Sequence, residues 1–214
     1  MLRASRRRPT RKAPDAGRVP ADQRRRQLLT EAGAILTAGG VEALSIAEVA
    51  ARAGVSRPLV YRQFPARLDL VRAVLEDFVA VLSDNFHEAL VRSLPGTIES
   101  ITTAFIEASC DAIEARGAGP WRLLDARAAE PEVVQTGRAH LEGLLAPWRA
   151  RLAALAGTTE QRAAIYMWVI VAAGRAALDG WIDGKVARAR AVRDATVAVT
   201  ALLTAFAAEA PKGR

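Results

Sequence analysis

Apolar positions along the chain recur at intervals of three and four, the spacing of one helix face. Leu28, Ala32, Ile35 and Leu36 make the first such stripe, with Asp22 as its expected cap and Gly39-Gly40 as its end. Ser45 with Glu48 three residues on reads as a capping box for a short helix over Ile46 to Ala53, closed by Gly54. Ser56 is the expected cap of a third short helix ending at Gln63 or Phe64, with Pro58 in its first turn and Pro65 as its stop. A long helix follows from about Leu68 to Arg92, where Leu68, Val71, Leu75, Phe78, Leu82, Phe86 and Leu90 form the stripe.

Beyond Pro95-Gly96 the spacing predicts a helix over about Thr97 to Ala115, a loop at Gly117 to Pro120, and a short helix near Trp121 to Ala129. It then predicts a helix from about Glu132 to Leu155, kinked or broken at Pro147, and helices near Glu160 to Asp183 and Ala187 to Ala208. No segment alternates as a strand does. The fold class expected is all-α.

Charge changes this picture in one place. Residues 1–67 carry 14 Lys and Arg against 5 Asp and Glu, and the rest of the 214-residue chain carries 16 against 18. The basic excess lies wholly in the first third, which suggests a polyanion as partner for that third; a solubilising basic tail is the plainer alternative. Residues 1–20, with six basic side chains between Arg3 and Lys12 and no apolar period, read as a disordered basic arm. Arg24, Arg25 and Arg26 sit in the first turn of the first helix, where positive charge opposes the helix dipole. A docked phosphate removes that conflict; three solvated arginines at a cost of a few tenths of a kcal/mol each explain it equally well.

Two short helices around a tight turn make a helix-turn-helix. Ala50 allows close crossing, Gly54 makes the turn, and Val49 and Val60 are placed to pack between the helices. At 100° per residue, Val60 and Phe64 share the inner face of the third helix, and Pro58 and Arg62 point outward with Leu59 and Tyr61 on the flanks. Arg57, at the helix start, and Arg62 suit guanine O6 and N7; Leu59 suits a thymine methyl. Tyr61 and Arg67 suit phosphates, as do Ser45 and the amides beside it.

This stretch resembles the TetR family of bacterial repressors. The resemblance rests on Gly39 to Ile46, on Glu48 to Ser56 with its Ala50-x-x-x-Gly54-Val55-Ser56 run, and on Leu59 to Arg67 with its Tyr61-x-x-Phe64 pair. Leu70 completes it, and it covers roughly residues 24–71. It implies about nine helices: a three-helix DNA-binding domain over residues 21–67, and a larger domain over 68–214 that senses a small molecule and dimerises. It implies DNA contacts at Ser45, Arg57, Pro58, Leu59, Tyr61 and Gln63. Arg67 stands where the family commonly has lysine, which keeps the charge and changes the geometry. With Arg24 and Ser56 added from the residue-level reading, these are the expected contacts to double-stranded DNA. The function expected is a homodimeric, ligand-released repressor on a near-palindromic operator; the rival is a non-specific architectural DNA-binding protein.

The remaining chemistry is sparse. Ala163 to Ala173 is apolar nearly all round, and Val192, Ala195, Val199, Leu202, Leu203 and Phe206 form a last stripe. Residues 160–208 are therefore the expected dimer region, with a purely intramolecular core as the alternative. Phe105, Cys110, Trp121, Trp168 and Arg175 are the expected effector-pocket residues. Ordinary core packing is the alternative for the aromatics, and an i, i+4 pair with Asp179 is the alternative for Arg175. Cys110, His87 and His140 are too scattered for a thiol nucleophile or a metal site. Gly117-x-Gly119 lacks the strand and third glycine of a nucleotide loop. The reading is thus no catalysis, no metal, no cofactor and no membrane. A lone cysteine and the absence of an apolar stretch behind the basic N-terminus fit a cytoplasmic protein rather than a secreted one, and the family resemblance implies a bacterial, nucleoid-associated one.

Overall fold

The structure, a computed structural model, describes residues 20–124 and 130–208. The basic arm expected over residues 1–20 lies outside them apart from Pro20, as does the stretch expected to carry a short helix on to Ala129. Among the described residues there are nine helices and no strand: α1 (Ala21–Ala43), α2 (Ile46–Arg52), α3 (Arg57–Gln63), α4 (Arg67–Ser93), α5 (Ile98–Arg116), α6 (Ala118–Leu123), α7 (Pro131–Leu155), α8 (Glu160–Ile182) and α9 (Arg188–Ala208).

The local chemistry explains most of the boundaries. Ser45 Oγ accepts from Glu48 N at 3.1 Å and starts α2, while the Glu48 carboxylate turns forward to Arg52 Nε at 3.1 Å, so only one half of a capping box forms. Ser56 is extended at the start of α3 and makes no side-chain cap bond. Asp69 Oδ2 accepts from Ala66 N at 3.0 Å and starts α4. Thr97 and Thr159 cap α5 and α8 through Ser100 N and Arg162 N.

Four boundaries differ from the periodicity: first, α1 runs past Gly39-Gly40 to Ala43, with a kink at Gly40. Pro20, not Asp22, precedes α1, and Asp22 lies in its first turn. Gly117 to Pro120 is not a loop: Gly117, at φ 83°, turns the chain and α6 begins at Ala118. Gly119 sets how near α6 comes to α1, because a Cβ there would sit 2.5 Å from Leu36 Cβ. Gly119 N donates to Thr37 Oγ1 at 2.9 Å, and Thr37 Oγ1 donates to Gly33 O at 2.9 Å. Finally, α7 runs unbroken through Pro147.

One core joins the helices. Leu28, Leu36, Val49, Val60 and Phe64 of the first three helices are continuous with Leu70, Leu75 and Phe78 of α4 and reach Leu178 and Ala195 in α8 and α9. Burying each such side chain contributes roughly 1.5–3 kcal/mol. A smaller cluster ties the end of α7 to α8 and α9 through Leu152, Ala163 and Tyr166, whose ring stacks on Phe206 at 3.8 Å.

Helices α8 and α9 are exceptional. By length and mean hydropathy, 1.3 and 1.4, both pass a composition test for a membrane span, yet only 22% and 28% of their apolar windows are buried. Ile165 is 61% exposed, Val169 42% and Val197 70%.

Candidate nucleic-acid interface

α3 is held by its inner face and presents its outer one. Val60 and Phe64 are buried against Val49 and Ala50 of α2, and Gly54, at φ 64°, makes the reversal between the helices. Arg57, Pro58, Tyr61 and Arg62 are exposed, with Leu59 and Gln63 half-buried at the edges. Ser56 is exposed just before them and Ser45 is half-buried one helix away. Tyr61 is 52% exposed, an unusual position for an aromatic side chain on so small a unit. The row therefore offers two guanidiniums, a phenol, an amide and an apolar edge, the side-chain types that hydrogen-bond base edges and phosphates.

The arginines of α1 divide. Arg24 Nη1 donates to Gln27 Oε1 at 2.7 Å, and Gln27 Nε2 donates on to Ala53 O at 3.1 Å, so Arg24 braces α1 against the end of α2. Arg25 lies over the Phe64 ring at 4.8 Å. Arg26 is exposed. The conflict between three cations and the helix dipole is thus partly met by partners inside the chain.

Arg67 does not fit the phosphate role read for it. Its Nε donates to Leu44 O at 2.8 Å, its Nη2 to Val41 O at 2.7 Å, and its Nη1 to Glu130 Oε1 at 2.7 Å. The break after Ala43 leaves Leu44 O outside the helical ladder, and Val41 O accepts there from Leu44 N at 3.2 Å; a guanidinium fork reaches both carbonyls where a lysine would reach one.

The effector-pocket residues are not brought together either. Trp121 is 7% exposed; its Nε1 donates to Asp179 Oδ1 at 2.9 Å and its carbonyl accepts from Arg175 Nη2 at 2.9 Å. Arg175 also lies over the Trp121 ring at 4.7 Å and 3.7 Å from Asp179, so the i, i+4 alternative describes it. Cys110 is fully buried, and burial pushes its thiol up to about 11. Trp168 is half-buried with Arg138 over its ring at 5.6 Å. Phe105 packs edge-on between Phe86 and Trp148, with centroids at 4.8 and 5.0 Å.

A concavity lies elsewhere among the described residues, between α4 and α7, with a volume of about 570 Å³. Phe86, Leu144 and Trp148 give it an apolar floor, and Ser83, His87 and His140 line it as well. Both histidines of the chain are there. His140 Nδ1 lies 2.8 Å from Thr136 O, which can only accept, so Nδ1 carries a proton and Nε2 is the remaining polar position of that ring. Phe105 stands behind this floor rather than in it. The signal in the sequence was the spacing Ser83–His87 and Ala139–Gly143–Pro147, one turn apart on each of two helices. Among the described residues, His, Cys, Asp and Glu side chains do not gather in a group able to hold a metal ion.

Comparison with known proteins bears on the whole arrangement. Residues 28–74 match the family described as bacterial regulatory proteins, tetR family. The chain is 37% identical over 107 residues to an "HTH-type transcriptional activator FasR" of Mycolicibacterium smegmatis, covering 50% of this chain and 48% of that protein. It is 34% identical over 74 residues to an uncharacterized HTH-type transcriptional regulator of Mycobacterium bovis, covering 32% of this chain and 39% of that one. The matches thus span about half the length of these relatives or less. A TetR-like transcriptional regulator from Rhodococcus sp. RHA1 superposes with a TM-score of 0.67 at 19% identity, over 89% of this chain and 99% of that one. A tetR-family regulator from Streptomyces coelicolor does so at 0.61 and 23%, over 89% and 82%. These relatives and solved structures are named as transcription regulators. Residues 28–74 are thus similar to the tetR family of bacterial regulatory proteins, and the fold that carries them is the fold of the solved tetR-like structures.

Proposed function

We propose that this protein is a homodimeric regulator that reads a near-palindromic operator with α3 and is released from it by a small molecule. The observation that carries the reading is the exposed row Arg57, Pro58, Tyr61 and Arg62 on a helix whose other face is buried to 0–1% exposure at Val60 and Phe64. In this reading residues 21–67 form the DNA-binding unit, with Arg57, Arg62 and Gln63 at base edges and Ser45, Ser56, Tyr61 and Arg26 at phosphates. Residues 68–214 form the sensing and dimerisation unit.

The dimer surface is α8 with α9. Their exposed Ile165, Val169 and Val197 need a cover, and a second copy supplies one of matching chemistry. Such a pair sets two α3 helices at a fixed separation, which must be roughly 34 Å to enter successive major grooves. The effector site is the α4–α7 groove, in place of the residues around Trp121. An effector that prefers a spacing unsuited to DNA shifts the population away from the operator.

Repression is the outcome expected of a regulator whose effector removes it from DNA. Activation is the second reading, favoured by the name of the M. smegmatis relative. Selection of duplexes from a random library by the full chain at physiological salt tests the proposal. Enrichment of one inverted repeat is expected. Binding without any sequence preference overturns the operator reading and leaves the architectural one.

A further inference from the structure

One side chain, Arg67, links the helix-turn-helix to both helices that wall the groove. Arg67 opens α4, and the same helix farther along supplies Val79 and Phe86 to the groove. Glu130 stands at the N-terminus of α7, and that helix farther along supplies His140 and Trp148. The two walls therefore begin at the two ends of a single ion pair, Arg67 Nη1 to Glu130 Oε1 at 2.7 Å. The other donors of the guanidinium go to Val41 O and Leu44 O, which frame the junction of α1 with α2. A guanidinium is planar and its donors are fixed in direction, so it loses a partner when one moves by an ångström or so.

We infer that Arg67 is a positioning residue that couples the width of the α4–α7 groove to the setting of the helix-turn-helix, with Glu130 as the part that lets go. An occupant that wedges α7 from α4 draws Glu130 off Arg67. The guanidinium keeps its two carbonyls, and α2 and α3 lose their tie to α7. α1 stays anchored through Thr37 and Gly119, so the change is a tilt and a loosening rather than a detachment. The pair is partly exposed, 29% at Arg67 and 49% at Glu130, so its loss shifts an equilibrium by a factor of up to about five. The consequence at DNA rests on the function proposed above; the mechanical link does not.

A built-in occupant tests this without an identified effector. Gly143 lines the groove, and a Cβ there meets nothing within 4 Å, so Gly143→Phe places a ring in it. Four full-length chains are compared: unsubstituted, Glu130→Gln, Gly143→Phe and the double variant. Ala139→Phe, on the same wall, replaces Gly143→Phe if the latter loses helicity or cooperative melting. Amide exchange over residues 46–63 is expected to rise about two- to fivefold in each single variant and no further in the double. Exchange in α8 and α9 stays unchanged. On a duplex selected from a random library, the groove substitution is expected to weaken binding about two- to fivefold alone and by less than about 1.5-fold beside Glu130→Gln. Equal effects in both backgrounds, or unchanged exchange over residues 46–63, overturn the coupling. If the unsubstituted chain enriches no sequence, the regulator reading fails, and the exchange comparison still decides the coupling.

Discussion

The helix-turn-helix and the α8–α9 pair dispose of their apolar residues in opposite ways. In α2 and α3, Val49 and Val60 are fully buried within the chain, and what faces out is charged or polar apart from Ala51, Pro58 and the edge of Leu59. In α8 and α9, the apolar Ile165, Val169 and Val197 face out, and only a minority of positions are fully buried. The first region is complete in one copy and carries a surface suited to a polyanion. In the reading proposed above, the second is completed by another copy of itself.

The contrast can be broken from either side. The largest effect belongs to the first region's core: Phe64→Ala should destabilise the protein by about 3–5 kcal/mol in chemical denaturation, since it empties the space between α2, α3 and Arg25. Next is the second region's surface. Ile165→Glu with Val197→Glu should weaken self-association more than about 100-fold, because each side chain counts twice in a two-fold dimer. Sedimentation would then find monomers that melt nearly as before. Arg57→Ala should cost about 1–3 kcal/mol of discrimination at one base position and leave the melting temperature in place. Arg26→Ala should weaken all sequences alike and lower the salt slope by about 1. The smallest effect is at Cys110. With its thiol pushed up to about 11 by burial, thiolate is scarce below that pH, so native protein should resist alkylation at pH 8 and react at once in denaturant.

Both regions were visible in the sequence to the extent that their signals are local. Ser45, Gly54, Pro58 and Pro65 act on their own neighbours, so α2 and α3 were legible almost to the residue, while α1, whose stripe from Leu28 to Leu36 was legible, runs from Ala21 past Gly39-Gly40 to Ala43. What failed was whatever depends on a distant partner. Gly117 to Pro120 looks like a loop until Gly119 is seen packed on Leu36 and Thr37. Arg67 looks like a surface cation until the carbonyls of Val41 and Leu44 are found beside it. Trp121 and Arg175 look like pocket residues until they are found satisfying each other. The groove itself is built from residues some 60 apart in the chain, so the one-turn spacings Ser83–His87 and Ala139–Gly143–Pro147 mark a shared wall only once α4 and α7 are seen side by side.

The central claim is that α3 reads sequence. The direct measurement is selection of duplexes from a random library by the full chain at physiological salt, repeated with Arg57→Ala. The account predicts an inverted repeat whose half-sites lie about one helical turn apart, roughly 34 Å, and a relaxed preference at one symmetric position in the variant. Enrichment of no sequence, or of the same sequence with undiminished preference in Arg57→Ala, would contradict it.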